Sequence, residues 1–230
     1  MKGNLWIALD AAGTLFEPAE PVARIYAECF AERGHIVSEE EWNKALATAF
    51  TQTQDPAYPA LCDGEAVEKE WWRTVVANSA QATGFDPESP NFKSIFDQLF
   101  NHYAAGSAWK LFPEIESVLT GFRNHGVKMA VVSNFDSRLH RVIDELGISN
   151  FFDLTFTSAD VGARKPSPSI LFKMLELSGA NPPDCCLAGD SPKADGGAAN
   201  AAGITFYHID RPNKNLTDFR NWHSSRFFQK

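Results

Sequence analysis

The pattern of apolar and polar positions in the second half of the chain predicts strands and helices that follow one another in turn. Short apolar runs, typical of buried strands, are separated by amphipathic segments with helical spacing. Strands that alternate with helices at this spacing predict a parallel, doubly wound sheet of the α/β class. We expect strands at 127–132, 152–157, 185–188 and 204–209, and helices at 114–125, 138–146, 167–178 and 195–202.

The amino-terminal part of the chain has a different pattern. One apolar run at 5–9 predicts a strand, but the segment 17–105 shows only helical periodicity. In that segment, Ser38 and Glu41 form a capping box that predicts the start of a helix. We therefore expect an α/β core domain made of residues 1–16 and 106–230, with residues 17–105 inserted as an all-helical cap domain. Because the insertion leaves directly after the first strand, it should lie over the carboxyl edge of the sheet.

Composition narrows the class of protein. The chain has 230 residues, 44% of them hydrophobic and 22% charged, with a net charge of -8. Such values are ordinary for a globular protein, and the acidic balance argues against a nucleic-acid partner. No stretch approaches the roughly 18 apolar residues of a membrane span. The four cysteines lack metal-binding spacing and are typical of buried thiols. We expect a cytoplasmic protein without a membrane partner; the sequence does not determine its oligomeric state.

Four short motifs carry the candidate chemistry. Three of them follow predicted strands: the string from Asp10 to Leu15, the pair Ser133-Asn134, and Gly189-Asp190-Ser191 with Asp195 behind it. The fourth, Lys165-Pro166, lies in a loop between two strand–helix units. Ligands of open α/β sheets bind at the carboxyl ends of the strands. The motifs therefore predict one polar site at that edge.

These motifs, in this order, resemble those of the haloacid dehalogenase-like hydrolase superfamily. The resemblance extends over essentially the whole chain and implies a Rossmann-like core with a helical cap inserted after the first motif. The stretch 131–136 and the paired tryptophans of the insertion are similar to the rhythmically expressed gene two-like branch.

The resemblance also implies roles for individual residues. Asp10 is expected to be the catalytic nucleophile, which attacks phosphorus and forms an aspartyl-phosphate. Ser133 and Lys165 are expected to act with it: the serine hydroxyl binds the phosphoryl oxygens and the lysine neutralises their charge. Thr14 and Asn134, the latter through its backbone N–H, complete the substrate-binding set.

The same resemblance implies a bound Mg²⁺ ion. Asp10, Asp190 and the backbone carbonyl of Ala12 are expected to hold the metal, and Asp195 to support them. Mg²⁺ prefers oxygen ligands of this kind and is commonly bound by one or two carboxylates together with substrate oxygens. The implied partner is a small phosphorylated metabolite.

Ala12 departs from the pattern of the family. Most phosphatases of the superfamily carry a second aspartate at this position, which protonates the leaving group and then activates water. General acid–base groups contribute roughly 10²–10⁴-fold to the rate, so the loss should be largest for poor leaving groups such as alkoxides. Asp136 and Lys193 are polar groups near the same strand ends that would be available as substitutes, although Asp136 is better placed to cap the helix after it.

Alternative functions remain open at this stage. The leading hypothesis is a Mg²⁺-dependent phosphomonoester hydrolase. Phosphonoacetaldehyde hydrolases of the superfamily also have alanine at position 12 and use a cap lysine, for which Lys44 and Lys69 are available here. The 2-haloacid dehalogenases share part of the first motif but generally lack the aspartate that Asp190 supplies. A non-catalytic phosphate-binding protein is the remaining hypothesis. Substrate contacts are expected from residues 55–64 and from Trp71, Trp72 and Tyr103.

Overall fold

Five parallel strands form the centre of the molecule in the computed structural model, which describes residues 5–227. The ends of the predicted core domain, 1–4 and 228–230, lie outside this range. In the described part, the strands are β1 (Trp6–Leu9), β2 (Phe16–Pro18), β3 (Trp109–Leu111), β4 (Lys128–Ser133), β5 (Leu154–Thr157), β6 (Cys185–Gly189) and β7 (Thr205–His208). The main sheet has the order β5-β4-β1-β6-β7, with every pair parallel.

Helices cover both faces of this sheet and fill the insertion. They are α1 (Val22–Ala31), α2 (Glu39–Gln52), α3 (Gly64–Ala82), α4 (Phe92–His102), α5 (Ile115–Asn124), α6 (Arg138–Glu145), α7 (Ser158–Val161), α8 (Ser169–Ser178), α9 (Gly197–Ala202) and α10 (Leu216–Phe227). The predicted α/β fold, with a doubly wound parallel sheet, is therefore confirmed.

Alternation of side chains along β1 creates the two halves of the core. Ile7 and Leu9 pack into the cluster that includes α5, α6 and α10. Trp6 and Ala8 point to the other face and pack with α8 and α9. Successive strand residues face opposite sides, so a strand covered on both faces is apolar at every position. This explains the uninterrupted apolar run from which β1 was predicted.

The sheet order places the functional strand ends side by side. β1 lies between β4 and β6 and pairs with both, Ala8 being opposite Ala130 on one side and Leu187 on the other. The chain therefore winds outwards in both directions from β1, which makes its carboxyl end the switch point where ligands bind in such sheets. Asp10 is the residue that follows β1 at this point.

A short antiparallel ribbon, β2 with β3, was not predicted from the sequence. Phe16 pairs with Leu111 and Pro18 with Trp109, so the ribbon closes the two ends of the helical insertion. The boundary predicted after residue 16 falls inside it. Three-residue strands are too short to show a period of two, and proline weakens any strand signal. The helices α7 and α10 were also not predicted.

The predicted helix at 195–202 differs at its start. Residues Pro192–Gly196 form a wide π-helical turn, and the regular helix α9 begins only at Gly197. The hydroxyl of Ser191 accepts a hydrogen bond from the N–H of Ala194 at 3.1 Å and so caps this turn. Wide turns of this kind often occur at functional sites, and this one carries Asp195. Within residues 5–227, none of the helices combines the length and apolar character needed to cross a lipid bilayer.

His223 of α10 lies in the aromatic core beside the sheet. It is fully buried, and its ring lies 5.4 Å from that of Phe122 and 4.6 Å from that of Phe227. Burial lowers the pKa of His223 to about 4, against 6.5 for an exposed histidine. The folded protein therefore binds no proton here at pH 5, whereas the unfolded chain does.

We predict that this histidine weakens the fold in mild acid. The pKa of His223 is lower in the folded protein than in the unfolded chain, so the free energy of unfolding should fall as pH drops from 6.5 towards 4. Between pH 7 and pH 5 the loss assigned to His223 should be about 2 kcal/mol. Urea unfolding of His223→Gln at both pH values should show a smaller loss than the unmodified protein, while the exposed control His125→Gln should match it. Equal losses in all three proteins would contradict the prediction.

Candidate active site

The ammonium group of Lys165 lies at the centre of the polar site. Its Nζ donates hydrogen bonds to Asp10 Oδ1 at 2.7 Å, to Asp195 Oδ1 at 2.5 Å and to the backbone carbonyl of Val132 at 2.8 Å. Lys165, Asp10 and Asp195 are all buried. Residues from three distant motifs therefore meet at one cation, as the motif pattern predicted.

Asn134 holds the backbone of Lys165 in place. Its side-chain oxygen accepts from the Lys165 N–H at 2.7 Å, and its side-chain amide donates to the Lys165 carbonyl at 2.8 Å. The family resemblance implied only a backbone role for Asn134 towards substrate. The paired hydrogen bonds show that its side chain also fixes the loop that carries the lysine, because one side-chain amide satisfies both the N–H and the C=O of Lys165.

Electrostatics favour a charged lysine facing carboxylates. Burial alone would lower the pKa of Lys165, but the charges of Asp10 and Asp195 outweigh it, and the pKa is raised above its ordinary value. Burial raises the pKa of Asp10; Lys165 opposes this shift, while Asp195 and Asp190 add to it. Desolvation, followed by the charge of Asp195, also raises the pKa of Asp190. One ammonium group therefore faces an excess of negative charge.

Asp195 has both carboxylate oxygens engaged by the protein. Oδ1 accepts from Lys165, and Oδ2 accepts from the backbone N–H of Ser191 at 3.0 Å. Gly189 leaves room for this carboxylate, since a Cβ atom at that position would overlap the Asp195 side chain. The strand residue before Asp190 therefore has to be glycine if Asp195 is to reach the lysine.

The loop after β1 turns sharply beneath Asp190. Gly13 has φ +85°, a conformation that side chains rarely adopt, and a Cβ there would lie 2.6 Å from Asp190 Oδ2. Its N–H donates to the carbonyl of Phe16 at 2.8 Å. Thr14, the next residue, is fully buried, and its hydroxyl has no hydrogen-bond partner among the described residues. The expected role of Thr14 in substrate binding stays a prediction.

The three aspartates fit the expected divalent cation. Oxygen atoms of Asp10, Asp190 and Asp195 lie within 4.8 Å of one another, and Asp190 is the most exposed of the three. Hard carboxylate oxygens suit Mg²⁺, and a cation would offset the negative charge that Lys165 alone does not neutralise. Because Asp195 is already bound on both oxygens, Asp10 and Asp190 are the carboxylates best placed to hold the ion. The ligand role of the Ala12 carbonyl stays a prediction.

A cavity of about 440 Å³ opens above these residues and extends beneath the helical insertion. The site residues form its floor, where Ser133 ends β4 and Ala12 contributes to the lining. Aromatic and aliphatic side chains form its walls and roof. The residues on the floor are Asp10, Ala12, Ser133, Asn134, Lys165, Asp190 and Asp195, and those contributed by the insertion include Tyr26, Phe50, Trp72, Phe96, Phe100 and Tyr103.

The two groups considered as substitutes for the missing aspartate are not available. Asp136 is fully buried, and its carboxylate accepts from the backbone N–H of Arg138 at 3.1 Å and from the Arg138 guanidinium at 2.7 Å. It therefore caps α6, as expected. Lys193 is exposed and does not line the cavity.

The two lysines considered for a Schiff base also lie outside the cavity lining. Lys44 is exposed and pairs with Glu40 at 2.6 Å. Lys69 is exposed, with its Nζ 5.1 Å from the centre of the Phe100 ring. Phe100 separates this lysine from the space above Asp10, which it lines.

A buried ion pair joins the insertion to the core and was not predicted. Glu68 of α3 is fully buried and accepts from Arg164 Nε at 3.0 Å, as well as from the hydroxyls of Tyr58 and Ser158. The Arg164 guanidinium stacks 3.6 Å from the ring centre of Trp71. Trp71 therefore serves this contact and does not line the cavity. Breaking one partner of a buried pair is strongly destabilising, so this contact holds the insertion beside the loop that carries Lys165.

Comparison with known proteins identifies the class. The model of the haloacid dehalogenase-like hydrolase family matches residues 6–203. The mouse haloacid dehalogenase-like hydrolase domain-containing protein 3 is 30% identical over 197 residues, covering 85% of this chain and 77% of that protein. The chain therefore belongs to the haloacid dehalogenase-like hydrolase family and is a hydrolase. The Drosophila melanogaster rhythmically expressed gene 2 protein is 25% identical over 206 residues, covering 86% of this chain and 79% of that protein, so the predicted resemblance to this branch is confirmed as well.

Solved structures share the fold at lower identity. A phosphatase of the same family from Thermococcus onnurineus superposes with a TM-score of 0.66 at 20% sequence identity, covering 97% of this chain and 98% of that one. The match extends through the core and the helical insertion.

Proposed function

We propose that this protein is a Mg²⁺-dependent phosphomonoester hydrolase that works through an aspartyl-phosphate on Asp10. The observation that carries the proposal is the buried Lys165 ammonium group bound to Asp10 and Asp195 beneath the cavity. A permanent positive charge beside a carboxylate nucleophile suits transfer of a dianionic phosphoryl group, because it offsets the charge of both. The substrate class is a small phosphorylated metabolite.

In the first step of the proposed reaction, most residues on the cavity floor have a role. A carboxylate oxygen of Asp10 attacks phosphorus, and the P–O bond to the leaving group breaks with its electron pair. The Ser133 hydroxyl, the Asn134 backbone N–H and Lys165 bind the phosphoryl oxygens as charge shifts during this step. Asp10, Asp190 and the carbonyl of Ala12 would hold Mg²⁺, which supplies further charge neutralisation when bound. Water then attacks the phosphorus of the aspartyl-phosphate and regenerates the carboxylate.

Ala12 determines which substrates turn over well. Ala12 lines the cavity and has no acidic group, so no carboxyl group at this position protonates the departing oxygen. Esters whose leaving group departs without a proton should therefore react, and aliphatic esters should react slowly. The same residue favours a second candidate, a phosphate-binding protein without turnover. Binding of phosphate without hydrolysis of any activated ester would identify that function.

The helical segment 17–105 is proposed to act as a cap that excludes water from the reaction. Its aromatic side chains roof the cavity, and the Glu68–Arg164 pair holds it against the core. Exclusion of water strengthens the electrostatic interactions inside a site. The cytoplasmic location stays a prediction.

Metal dependence tests the proposal directly. Hydrolysis of p-nitrophenyl phosphate by the chelator-treated protein should be near background, and added Mg²⁺ should restore it. Asp190→Asn should need a higher Mg²⁺ concentration for half-maximal rate, since one ligand charge is lost, whereas the exposed control Asp86→Asn should behave like the unmodified protein. Activity that is unchanged by chelation would contradict the proposed role of the metal.

A further inference from the structure

An aromatic wall lines the side of the cavity next to Asp10. The Trp109 ring lies 5.6 Å from that of Phe135 and 5.7 Å from that of Tyr103, in edge-to-face contacts that make one continuous surface. Trp72 and Phe100 of the insertion line the same cavity. Aromatic surfaces of this kind bind flat apolar rings through offset and edge-to-face contacts.

Charge in the upper part of the cavity is already balanced. Among the described residues that line it, Arg138 is the charged side chain besides those on the floor. Its Nε and one terminal nitrogen bind the two oxygens of Asp136 at 2.7 Å each, and the other terminal nitrogen donates to the Phe100 carbonyl at 3.0 Å. Its guanidinium carbon lies 3.6 Å from the centre of the Phe100 ring.

This pairing disfavours a negatively charged leaving group. A carboxylate on the leaving group would meet the Arg138–Asp136 pair, which is already neutral and bidentate. Burying an unpaired carboxylate beside aromatic side chains is strongly unfavourable. The leaving group that fits this part of the cavity therefore carries no negative charge.

The alanine on the floor points to the same class of leaving group. A phenol has a pKa of about 10, whereas that of water, whose acidity is close to that of an aliphatic alcohol, is about 15.7. An aryl oxide therefore departs with little need for a general acid and takes up its proton from solvent afterwards. Ala12 lines the cavity, and Asp136 and Lys193 do not replace the missing acid.

We propose that the natural substrates are aryl phosphates whose uncharged ring binds against the wall formed by Tyr103, Trp109 and Phe135. The inference rests on the phosphatase function proposed above and deepens it. An apolar cavity of roughly 150 Å³ holds a benzene molecule, so about 440 Å³ accommodates a substituted ring together with the phosphoryl group.

The first test separates recognition of the ring from reactivity of the ester. Phenyl phosphate and hexafluoroisopropyl phosphate have leaving groups of nearly equal acidity, but only the first is aromatic. We expect kcat/KM to be at least about tenfold higher for phenyl phosphate, and lower again for 4-carboxyphenyl phosphate than for phenyl phosphate. Equal values for the first two esters, or preference for the carboxylated one, would overturn the inference.

Substitutions in the aromatic lining test where the ring of the substrate binds. Trp72→Leu and Tyr103→Leu should raise KM for phenyl phosphate severalfold and leave KM for hexafluoroisopropyl phosphate near its original value. Phe85→Leu is the matched control, because Phe85 packs against Phe30 within the insertion but does not line the cavity. Circular dichroism establishes that each variant is folded. Equal changes for both esters would count against the proposed ring site.

A binding measurement on the unmodified protein keeps the two proposals distinguishable. Calorimetry with phenylphosphonate and methylphosphonate in the presence of Mg²⁺ should show tighter binding of the aryl compound. Tighter aryl binding without turnover of any ester would support the ring site and contradict the phosphatase function. Turnover of both esters with equal phosphonate affinities would contradict the ring site and leave the phosphatase function intact.

Discussion

Replacing Asp10 with asparagine should lower kcat for p-nitrophenyl phosphate by roughly 10⁴-fold or more, as removal of a nucleophile does in other covalent hydrolases. An amide has almost the size of a carboxylate but is a poor nucleophile, so no aspartyl-phosphate forms. The substrate has a good leaving group, and the measurement therefore reports on the nucleophile even though position 12 lacks an acid.

The same experiment has a direct chemical readout. Rapid acid quenching of the unmodified protein during turnover should leave a phosphoryl adduct on the peptide that contains Asp10, detectable by mass spectrometry. Asp10→Asn should lack the adduct, and the exposed control Asp86→Asn should retain both adduct and activity. Magnesium-dependent turnover in Asp10→Asn at more than a tenth of the original rate would rule out the proposed nucleophile.

Replacing Ala12 with aspartate should raise kcat/KM for aliphatic phosphomonoesters by roughly 10²–10³-fold, within the range of general acid–base catalysis. Ala12 lines the same cavity as Asp10, so we expect a carboxyl group at this position to reach the departing oxygen. The gain for p-nitrophenyl phosphate should be much smaller, because its leaving group does not need a proton. The difference in kcat/KM between aryl and alkyl esters should therefore become smaller.

Ala12→Asn is the control for this gain. Asparagine has nearly the size of aspartate but transfers no proton, so it should not raise turnover of alkyl esters. A similar rise in the asparagine and aspartate variants would attribute the effect to packing. No rise in Ala12→Asp, in a folded protein that still hydrolyses p-nitrophenyl phosphate, would show that another group already serves as the acid.

The sheet strands were predictable because their signals are local. β1, β4 and β6 are buried on both faces, so each reads as an uninterrupted apolar run. The capping box of α2 was predictable for the same reason: Ser38 and Glu41 are three residues apart and bond each other's backbone N–H groups at 3.3 Å. Interactions within one turn need no knowledge of the rest of the chain. The β2–β3 ribbon was not predicted because its pairing joins three-residue segments that are far apart in the sequence.

The floor of the site was largely predictable from motif order. Strand ends of a parallel sheet meet at one edge, and Asp10, Ser133 and Asp190 each end or follow a predicted strand. Lys165 lies in a loop; its place beside Asp10 was implied only by resemblance to the family, and its hydrogen bond to Asp195 was not expected. The observed hydrogen bonds place it between these two carboxylates.

The sequence by itself determined the class of fold, the positions of the strands of the main sheet and the set of polar residues at their ends, because each depends on neighbouring positions. Only the tertiary structure decided how Asn134 holds Lys165, 31 positions away, and how Glu68 pairs with Arg164, 96 positions away. It also decided that Arg138 is neutralised by Asp136 and that aromatic side chains from separate elements form one wall. Side chains far apart in sequence leave no periodic signal, and the energy of their contact exists only once folding has excluded water from between them.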